Sequence, residues 1–184
     1  MERPMNAEQM EDRNLEERWL ALLQHFGVAT GGARAAFEKV AKRYRQEHRV
    51  FHTLAHVQYV LEMVARLAQE AEHPQRVQLA AWLHDVVYDP QAGDHEERSA
   101  AYAARLLGKL GLAQEVIAGV QRLILHTEAH RAQKGDRDAC VLLDADLAIL
   151  GEAPDNYRTY AHAIRREYGW LPQETYREGR IEIL

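Results

Sequence analysis

Two histidines lie one helical turn apart in the segment RVFHTLAHVQYVLEMV, residues 49–64, where a run of apolar residues with helical spacing begins. His52 stands at or before the start of that helix, and His56 shares a face with Val60 and Met63. Imidazole groups bind metal ions and transfer protons near neutral pH. The two residues therefore bind a metal, form a catalytic pair or lie on the surface, depending on which other side chains meet them in the fold.

A third histidine is followed directly by an aspartate in the segment VQLAAWLHDVVY, residues 77–88. This segment is apolar nearly all the way round, which predicts a central buried helix. His84 lies among apolar positions of the helical wheel. Burying the charge of Asp85 beside it is costly unless the carboxylate is ion-paired or bound to a metal. The alternative is a hydrogen-bonded core histidine, with Asp85 capping a neighbouring helix.

Another carboxylate lies on an apolar helical face in CVLLDADLAILG, residues 140–151. On the helical wheel Asp146 falls between Leu142 and Ile149, whereas Asp144 points nearly the opposite way. An isolated buried carboxylate has a raised pKa or a large desolvation penalty, and a divalent cation removes both effects. Asp146 is therefore the better ligand candidate. Asp144 is either exposed to solvent or hydrogen-bonded to a ligand.

Together, His56, His84, Asp85 and Asp146 form a mixed set of nitrogen and oxygen donors. Such a set suits a transition metal better than calcium, which prefers oxygen ligands. We expect one divalent ion rather than two, with Mn, Fe, Zn, Co, Ni and Mg as candidates. Four protein ligands leave positions open on a six-coordinate ion, and a water bound there becomes a nucleophile near neutral pH.

Helical periodicity runs through almost the whole chain and predicts the elements that position these side chains. The predicted helices cover residues 15–26, 33–47, 53–71, 75–88, 95–110, 113–130, 138–150 and 154–168. Alternating strand-like segments are absent, so the expected fold is all-α, a compact multi-helix bundle whose central buried helix carries the His-Asp pair. We expect residues 1–14 to be a flexible N-terminal tail and residues 15–184 to form a single helical domain.

The composition indicates where the protein is located and which classes of partner it does not bind. The 184 residues are 47% hydrophobic and 28% charged, as in a soluble globular protein. A net charge of −5, without a dense basic block, argues against a nucleic-acid duplex or an anionic membrane as a partner. With one cysteine, Cys140, a charged N-terminus and no apolar run of roughly 18–20 residues, we expect a cytoplasmic protein without a membrane span. Association into a homo-oligomer is left open.

The ordered set His56, His84-Asp85 and Asp146 resembles the HD superfamily of metal-dependent phosphohydrolases. The segment FHTLAHV is also similar to YHNxxHA in the cyclic-nucleotide phosphodiesterases, which belong to the same broader fold. There the first histidine donates a proton to the leaving group and the second binds the metal. The resemblance therefore implies that His52 is the general acid and His56 a ligand. The letters ADL at residues 145–147 match the last-ligand segment of the superfamily and also select Asp146.

A closer likeness is to a bacterial group of predicted metal-dependent HD phosphohydrolases with the pattern YHxxxHI, WxHDxVYDP, DNEERSA, T..H, LDADLxILG and Y..Y...IR.EY. This chain reads FHTLAHV, WLHDVVYDP, GDHEERSA, HTEAH, LDADLAILG and YRTYAHAIRREY, so the likeness covers roughly residues 44–168. It departs at Phe51, where the group has tyrosine, and at His95, where the group has asparagine. Members of the group usually continue past RIEIL, so we expect that a missing final helix would weaken packing or oligomerisation without affecting the ligands.

Four further polar residues have both a functional and a structural interpretation. Asp89 precedes a proline, so it lies either at the pocket rim, where it would orient or deprotonate the attacking water, or in a helix-ending turn. Glu97 follows an aspartate by three residues, which is the spacing of a capping box, although it could also face the site. Thr127 and His130 share the inward face of the helix at 113–130. There His130 binds a phosphate oxygen or a second metal, or is a hydrogen-bonded core histidine.

These features predict a metal-dependent phosphohydrolase that cleaves a phosphomonoester or phosphodiester of a small molecule, with a nucleotide as the expected substrate. In this hypothesis Asp89 positions the attacking water and His52 protonates the leaving oxygen. One alternative is a ligand-binding or regulatory helical module that keeps a metal without turnover. Another is a metal-free protein in which the buried acids are ion-paired core residues.

Overall fold

Helices account for almost all of the regular structure in the computed structural model, which describes residues 7–183. Within this range the chain forms nine α-helices and one 3₁₀ turn, without a strand. The helices are α1 (Ala7–His25), α2 (Thr30–Tyr44), α3 (Leu54–Arg66), α4 (Pro74–Leu83), α5 (His95–Lys109), α6 (Gln114–Ala129), α7 (Arg137–Leu147), α8 (Pro154–Glu167) and α9 (Gln173–Ile183), and the 3₁₀ turn is Ala148–Gly151. The prediction of an all-α bundle is confirmed.

Helix α4 lies at the centre of the bundle and packs against α1, α3, α5, α6 and α7. Its apolar residues, including all of Leu79–Leu83, are buried, because the segment presents apolar side chains in every direction. The ring of Trp82 packs edge-on against Trp19, with centroids 5.3 Å apart, and against Phe37 at 6.1 Å. This packing fixes the C-terminal end of α4, where the His-Asp pair follows.

Helix α4 is shorter than the predicted helix at 75–88, because it ends at Leu83 and the His-Asp pair lies in the turn that follows. Backbone groups of this turn bind tertiary partners in place of helical ones. The guanidinium of Arg49 donates to two of its carbonyl groups, and the hydroxyl of Ser99 binds the N–H and the carbonyl of a third residue. The pair therefore stands at the end of the central helix.

The two ends of the chain differ from the prediction. Residues 7–14 of the predicted tail are helical, and residues 1–6 lie outside the described residues. Asp12 accepts a hydrogen bond from Arg45 at 2.6 Å, and Leu15 is buried, so the first half of α1 packs beside α2. Helix α9 is absent from the predicted elements, because its sequence QETYREGRIEI has few apolar residues and therefore a weak periodic signal.

Two buried carboxylates from late in the chain hold the segments that lead into α3 and α4. Oε1 of Glu167 accepts hydrogen bonds from three consecutive backbone N–H groups, at residues 50–52, over 2.7–3.1 Å. Oδ1 of Asp138 accepts two such bonds from residues 72 and 73, both at 2.8 Å. Hydrogen bonds to an ionised acceptor are stronger than neutral ones. The two helices that supply the histidines of the candidate site thus begin at fixed positions.

Candidate metal centre

Three side chains from separate parts of the bundle meet at one point. His56 of α3, His84 at the end of α4 and Asp146 of α7 each offer one donor atom, and these atoms all lie within 4.8 Å of one another. The Nε2 atoms of the two histidines are 3.2 Å apart. Oδ1 of Asp146 lies 3.2 Å from Nε2 of His56 and 3.5 Å from Nε2 of His84. The structure therefore brings together three of the four predicted ligands.

Asp85, the fourth predicted ligand, approaches the same imidazoles from the turn after α4. Its Oδ2 lies 3.0 Å from Nε2 of His84 and 3.5 Å from Nε2 of His56. Metal–nitrogen and metal–oxygen bonds are about 2.0–2.2 Å long at a zinc site. Donor atoms about 3–4 Å apart therefore suit ligands that share one ion.

The ring orientation of His84 favours metal binding through Nε2. Its Nδ1–H donates to the carbonyl of Ala81 at 3.0 Å, which leaves the lone pair of Nε2 directed at the other donors. Metal-binding histidines usually make such a bond with the second ring nitrogen. Nδ1 of His56 is buried and has no hydrogen-bond partner in the part of the chain that the structure describes. Packing orients that ring instead, with the Phe51 ring centroid 4.7 Å away.

The charges of these four side chains stabilise one another against the effect of burial. Burial lowers the pKa of His56 and of His84, yet the two carboxylates raise both above the usual imidazole value. Burial raises the pKa of Asp85 and of Asp146, yet the neighbouring imidazoles lower both well below the usual carboxyl value. Both aspartates are therefore ionised at neutral pH, which is the state that metal binding requires.

A positive charge must offset the two buried carboxylates, and either a proton on an imidazole or a metal ion supplies it. The donor types fit a metal. Two imidazole Nε2 atoms and two carboxylates converge here, and such a mixed set suits a divalent transition-metal ion. The group His56, His84 and Asp146, with Asp85 beside it, can therefore hold a divalent ion.

His52 lies beside these residues and is oriented by a buried carboxylate. Its Nδ1 donates to Oε2 of Glu167 at 2.6 Å, and its Nε2 lies 3.9 Å from Oδ2 of Asp85. The ring stacks on Tyr88 with 4.2 Å between centroids, and the Tyr88 hydroxyl donates to the same Glu167 oxygen. Burial raises the pKa of Glu167, but hydrogen bonds from His52 and the backbone lower it to about 2. Nε2 of His52 is thus the ring atom left to transfer a proton.

Arg49 joins the His52 segment to the turn that holds Asp85. Its Nη1 donates to the carbonyl of His52 at 2.9 Å and to the carbonyl of Asp85 at 2.8 Å. The residue is buried, and its guanidinium lies 5.0 Å from the ring centroid of Tyr44. Arg49 therefore fixes the spacing between the predicted acid and the predicted ligands. No sequence pattern marks Arg49, because its partners are backbone carbonyls.

A cavity of about 480 Å³ lies over these side chains. Its wall includes the four predicted ligands and His52, and the remaining lining comes mainly from α5, α6, α8 and α9. Pockets of about 300–1,000 Å³ are typical of small-molecule sites. The cavity therefore has the size expected for a small phosphorylated compound.

Thr127 and His130, two further predicted site residues, also line this cavity. Thr127 is buried, and its hydroxyl donates to the carbonyl of Ile124 at 2.7 Å. His130 ends α6 in the left-handed conformation, with φ of 47°, and its Nε2 lies 3.4 Å from Oδ2 of Asp146. This conformation is uncommon for a residue other than glycine. Here it directs the imidazole at a candidate ligand.

Comparison with protein families gives one match: the HD domain model matches residues 53–165, more than half of the chain and all four predicted ligands. This chain belongs to the HD domain family. It is thereby a member of the HD superfamily of metal-dependent phosphohydrolases, whose domains bind divalent metals. The matched range begins after His52 and ends before Glu167, so the pairing of these two residues rests on the structure alone.

The remaining comparisons add no closer relative of this HD domain. Searches of curated proteins and of solved structures found no match. The closer likeness to one bacterial group of HD phosphohydrolases therefore stays a prediction. Within residues 7–183, no helix combines the length and the apolar character that crossing a membrane requires.

Three acids predicted near the site of this HD domain lie outside the cavity lining and are exposed: Asp89, Glu97 and Asp144. Oδ1 of Asp89 accepts a hydrogen bond from the N–H of Gln91 at 3.1 Å, so Asp89 stabilises the turn after the His-Asp pair. Asp144 is on the opposite face of α7 from Asp146. Asp94 makes no side-chain cap at α5, so the capping box with Glu97 does not form. The structure therefore places all three outside the cavity lining, with Asp89 in a turn and Asp144 exposed, as their structural interpretations predict.

On α5 the cavity is lined by His95 and Glu96, which precede Glu97. Nε2 of His95 lies 3.1 Å from Oε1 of Glu96. That contact outweighs burial and raises the pKa of His95 to about 9, so its imidazole is positively charged at neutral pH. The capping-box spacing selected Glu97 in the sequence. The residues of α5 that face the cavity are instead His95 and Glu96, two positions and one position earlier.

Glu167 is a further residue of the candidate site that is absent from the predicted set. It lies on the buried face of α8 with Tyr160 and Ile164, at the four- and seven-residue spacing of a helix. A carboxylate on an apolar helical face is the signal that identified Asp146. The same reasoning applied to the helix at 154–168 would have found Glu167.

Replacing Glu167 with glutamine is expected to lower kcat about 10- to 100-fold with little change in metal content, because removing the partner of an active-site histidine typically costs this much. The amide lacks the charge that holds His52 and the backbone of residues 50–52.

The ionised carboxylate of Glu167 stabilises the fold fully above its ordinary pKa of 4.5, and that stabilisation is lost as the pH falls through about 2. The difference in free energy of unfolding between wild type and E167Q is therefore expected to shrink over that range.

The measurements are steady-state kinetics, bound metal per chain, and chemical unfolding between pH 5 and pH 2. Exposed Glu174 provides the control, since E174Q removes a carboxylate without touching the cavity. An E167Q protein with wild-type kcat and a constant difference in stability across this pH range would contradict the assigned role.

Proposed function

We propose that this HD domain protein is an active phosphohydrolase that cleaves a phosphomonoester or phosphodiester of a small molecule. The observation that carries the proposal is that the candidate metal ligands and the His52–Glu167 pair face the same cavity. A metal site alone would also suit a structural or regulatory role. A histidine fixed by a buried carboxylate beside that site supplies the proton donor that hydrolysis needs.

The residues of the chain divide the chemistry between them. His56, His84, Asp85 and Asp146 would hold a divalent ion, which would supply polarisation of a phosphoryl oxygen and a lowered pKa for a bound water molecule. His52 gives the proton on Nε2 to the leaving oxygen, and this step contributes about 10²- to 10⁴-fold to the rate in enzymes that use it. Hydrogen bonding to Glu167 through Nδ1 keeps Nε2 directed at the site.

His95 places a positive charge in the cavity wall. This charge is opposite in sign to that of a phosphoryl group. The His95 ring lies edge-on to Tyr88, with centroids 5.5 Å apart, and Tyr88 stacks on His52. Tyr88 therefore lies between the charged imidazole of His95 and the proposed acid, His52. The two ring N–H groups of His95 are already bonded to the carbonyl of Ala92 and to Glu96, so we assign it an electrostatic role toward the phosphate rather than a direct hydrogen bond.

A nucleotide is the proposed substrate class. The cavity wall includes the rings of Phe51, Tyr160 and Tyr176. Phe51 and Tyr160 contact each other edge-on at 4.8 Å, and Phe51 in turn lies against His56. An aromatic wall next to the metal ligands suits a flat group attached to the phosphate, because aromatic side chains bind planar bases by stacking.

A screen of phosphate esters tests this proposal. Purified protein is loaded in turn with Mn²⁺, Co²⁺, Ni²⁺, Zn²⁺ and Mg²⁺ and incubated with nucleoside monophosphates, cyclic nucleotides, sugar phosphates and p-nitrophenyl phosphate. Chromatography then follows the products. We expect metal-dependent hydrolysis of at least one class, with nucleotides preferred, and loss of hydrolysis on chelation. Metal-loaded protein that hydrolyses no ester with any of the five ions would contradict the proposal and favour the regulatory module.

A further inference from the structure

Helix α9 places an arginine in the wall of the same cavity, away from the candidate ligands. Arg180 lines the cavity, and its Nη1 donates to the hydroxyl of Tyr160 at 2.8 Å. Its Nη2 is buried and has no hydrogen-bond partner within the described part of the chain. Among the side chains at residues 10–181, no carboxylate forms a salt bridge with it. A guanidinium carries five N–H donors, and the hydroxyl groups of Tyr160 and Tyr157 take two of them, so Arg180 keeps donors available for a ligand.

The other arginines near the site differ from Arg180 in this respect. Arg49 donates to backbone carbonyls of the His52 segment and of the turn after α4. Arg165 donates to the carbonyls of Tyr168 and Leu171. Both guanidinium groups therefore serve the fold. Burial lowers the pKa of Arg180, but Tyr160 raises it above the usual value, so its charge persists inside the cavity.

A row of rings separates Arg180 from the candidate metal ligands. Its guanidinium carbon lies 5.2 Å from the ring centroid of Tyr160. The Tyr160 ring is 4.8 Å from that of Phe51, and the Phe51 ring is 4.7 Å from that of His56. Arg180 is thus two aromatic residues away from His56 along the wall. A ligand that contacts both Arg180 and the metal ligands therefore needs a middle section about as long as one or two aromatic rings.

We propose that Arg180 binds a second anionic group of the substrate, at the opposite end from the phosphate that is cleaved. This inference rests on the proposed function and specifies its substrate class. The substrate is a phosphate ester whose organic part carries a carboxylate or another phosphate, with a flat middle section against Phe51 and Tyr160. Guanidinium groups recognise both anions by paired, charge-assisted hydrogen bonds. Arg180 therefore acts as a specificity-determining residue.

Three matched probes test the inference through binding. Phenyl phosphate has the cleavable phosphate and a ring without further charge. In 4-carboxyphenyl phosphate and 1,4-phenylene bisphosphate, a carboxylate or a phosphate is added at the far end of the same ring. Rapid-mixing titration of Mn²⁺-loaded protein, followed before the ester is hydrolysed, gives the dissociation constant of each. We expect the two longer probes to bind about 10- to 100-fold more tightly than phenyl phosphate, as a charge-assisted hydrogen bond inside a pocket provides.

The variant R180Q is expected to lose this advantage while binding phenyl phosphate as the wild type does. Arg177 supplies the control, because it stands one turn earlier on α9 and is exposed, so R177Q removes the same charge outside the cavity. The variant R180K keeps the charge and is expected to retain part of the advantage. Circular dichroism of R180Q establishes whether α9 persists without the hydrogen bond to Tyr160.

The outcomes separate this inference from the proposed function. If the longer probes bind no better than phenyl phosphate, or if their advantage survives in R180Q, the role of Arg180 is refuted and the proposed function stands. If phenyl phosphate does not bind while 4-carboxyphenyl phosphate binds in an Arg180-dependent way, the role of Arg180 stands and phosphate binding at the metal end is refuted. If no probe binds, the role of Arg180 is refuted, and the screen of phosphate esters decides the proposed function separately.

Discussion

Replacing Asp146 with asparagine is expected to abolish divalent metal binding and to lower phosphohydrolase activity about 1,000-fold or more. The Asp146 carboxylate lies within 3.5 Å of Nε2 of His56, of His84 and of His130. An asparagine keeps the shape but brings no charge, so the remaining donors hold a cation weakly. A catalytic metal stabilises the transition state by several kcal/mol, and each 1.36 kcal/mol corresponds to a tenfold change in rate.

Metal content by elemental analysis and thermal unfolding with and without Mn²⁺ measure this effect. At a metal concentration about 100 times the dissociation constant, binding stabilises the native state by about 2.7 kcal/mol, so the Tm of the wild type is expected to rise by roughly 5–10 °C. The variant D146N is expected to show no rise. Asp144 gives a matched control, since it lies two residues away on α7 and is exposed. Equal metal content in D146N and D144N would contradict the assigned role of Asp146.

Replacing His52 with glutamine is expected to lower kcat about 10²- to 10⁴-fold while metal content stays at the wild-type level. Nε2 of His52 is 3.9 Å from Asp85, whereas the histidine and aspartate atoms of the candidate ligands lie 3.0–3.5 Å apart. Replacing His52 is therefore expected to remove a proton donor rather than a ligand. The glutamine amide still reaches Glu167, which preserves the local fold. The loss is expected to be larger for esters of alkyl alcohols than for p-nitrophenyl phosphate, because a nitrophenolate leaves without a proton.

The comparison of the two leaving groups distinguishes acid catalysis from a general disturbance of the site. A structural defect would lower both rates by the same factor, whereas loss of the acid changes their ratio. H162Q provides the control, because His162 is exposed on α8. An H52Q protein with an unchanged ratio between the two esters would contradict the assignment of His52 as the acid.

The candidate metal centre was largely predictable from the sequence because its ligand residues lie on apolar helical faces or directly after the apolar central helix. A charged side chain at such a position needs a partner or an ion, so Asp85 and Asp146 stand out in the sequence without knowledge of the fold. The central position of α4 followed in the same way from its apolar residues on every side. These inferences depend only on local periodicity, which the sequence carries directly.

Local periodicity marks Glu167 as an acid on an apolar helical face, but it could not show which residues orient the proposed acid. Glu167 lies 115 residues after His52, and the hydrogen bond between them depends on how α8 packs. Arg49 acts through backbone carbonyls of two separate segments, and no sequence spacing encodes those partners. Asp89 shows the converse case. Its place beside the His-Asp pair suggested a catalytic role, but the turn after α4 directs its side chain to the backbone of Gln91 and to solvent.

Anomalous X-ray scattering from crystals grown with Mn²⁺ tests the central claim most directly, namely that these helices bring four side chains to one divalent ion. We expect a single strong peak within metal–ligand bonding distance of Nε2 of His56, of Nε2 of His84 and of the carboxylate oxygens of Asp85 and Asp146. A saturated crystal with no peak at this position, or with the manganese bound to other residues, would contradict the claim.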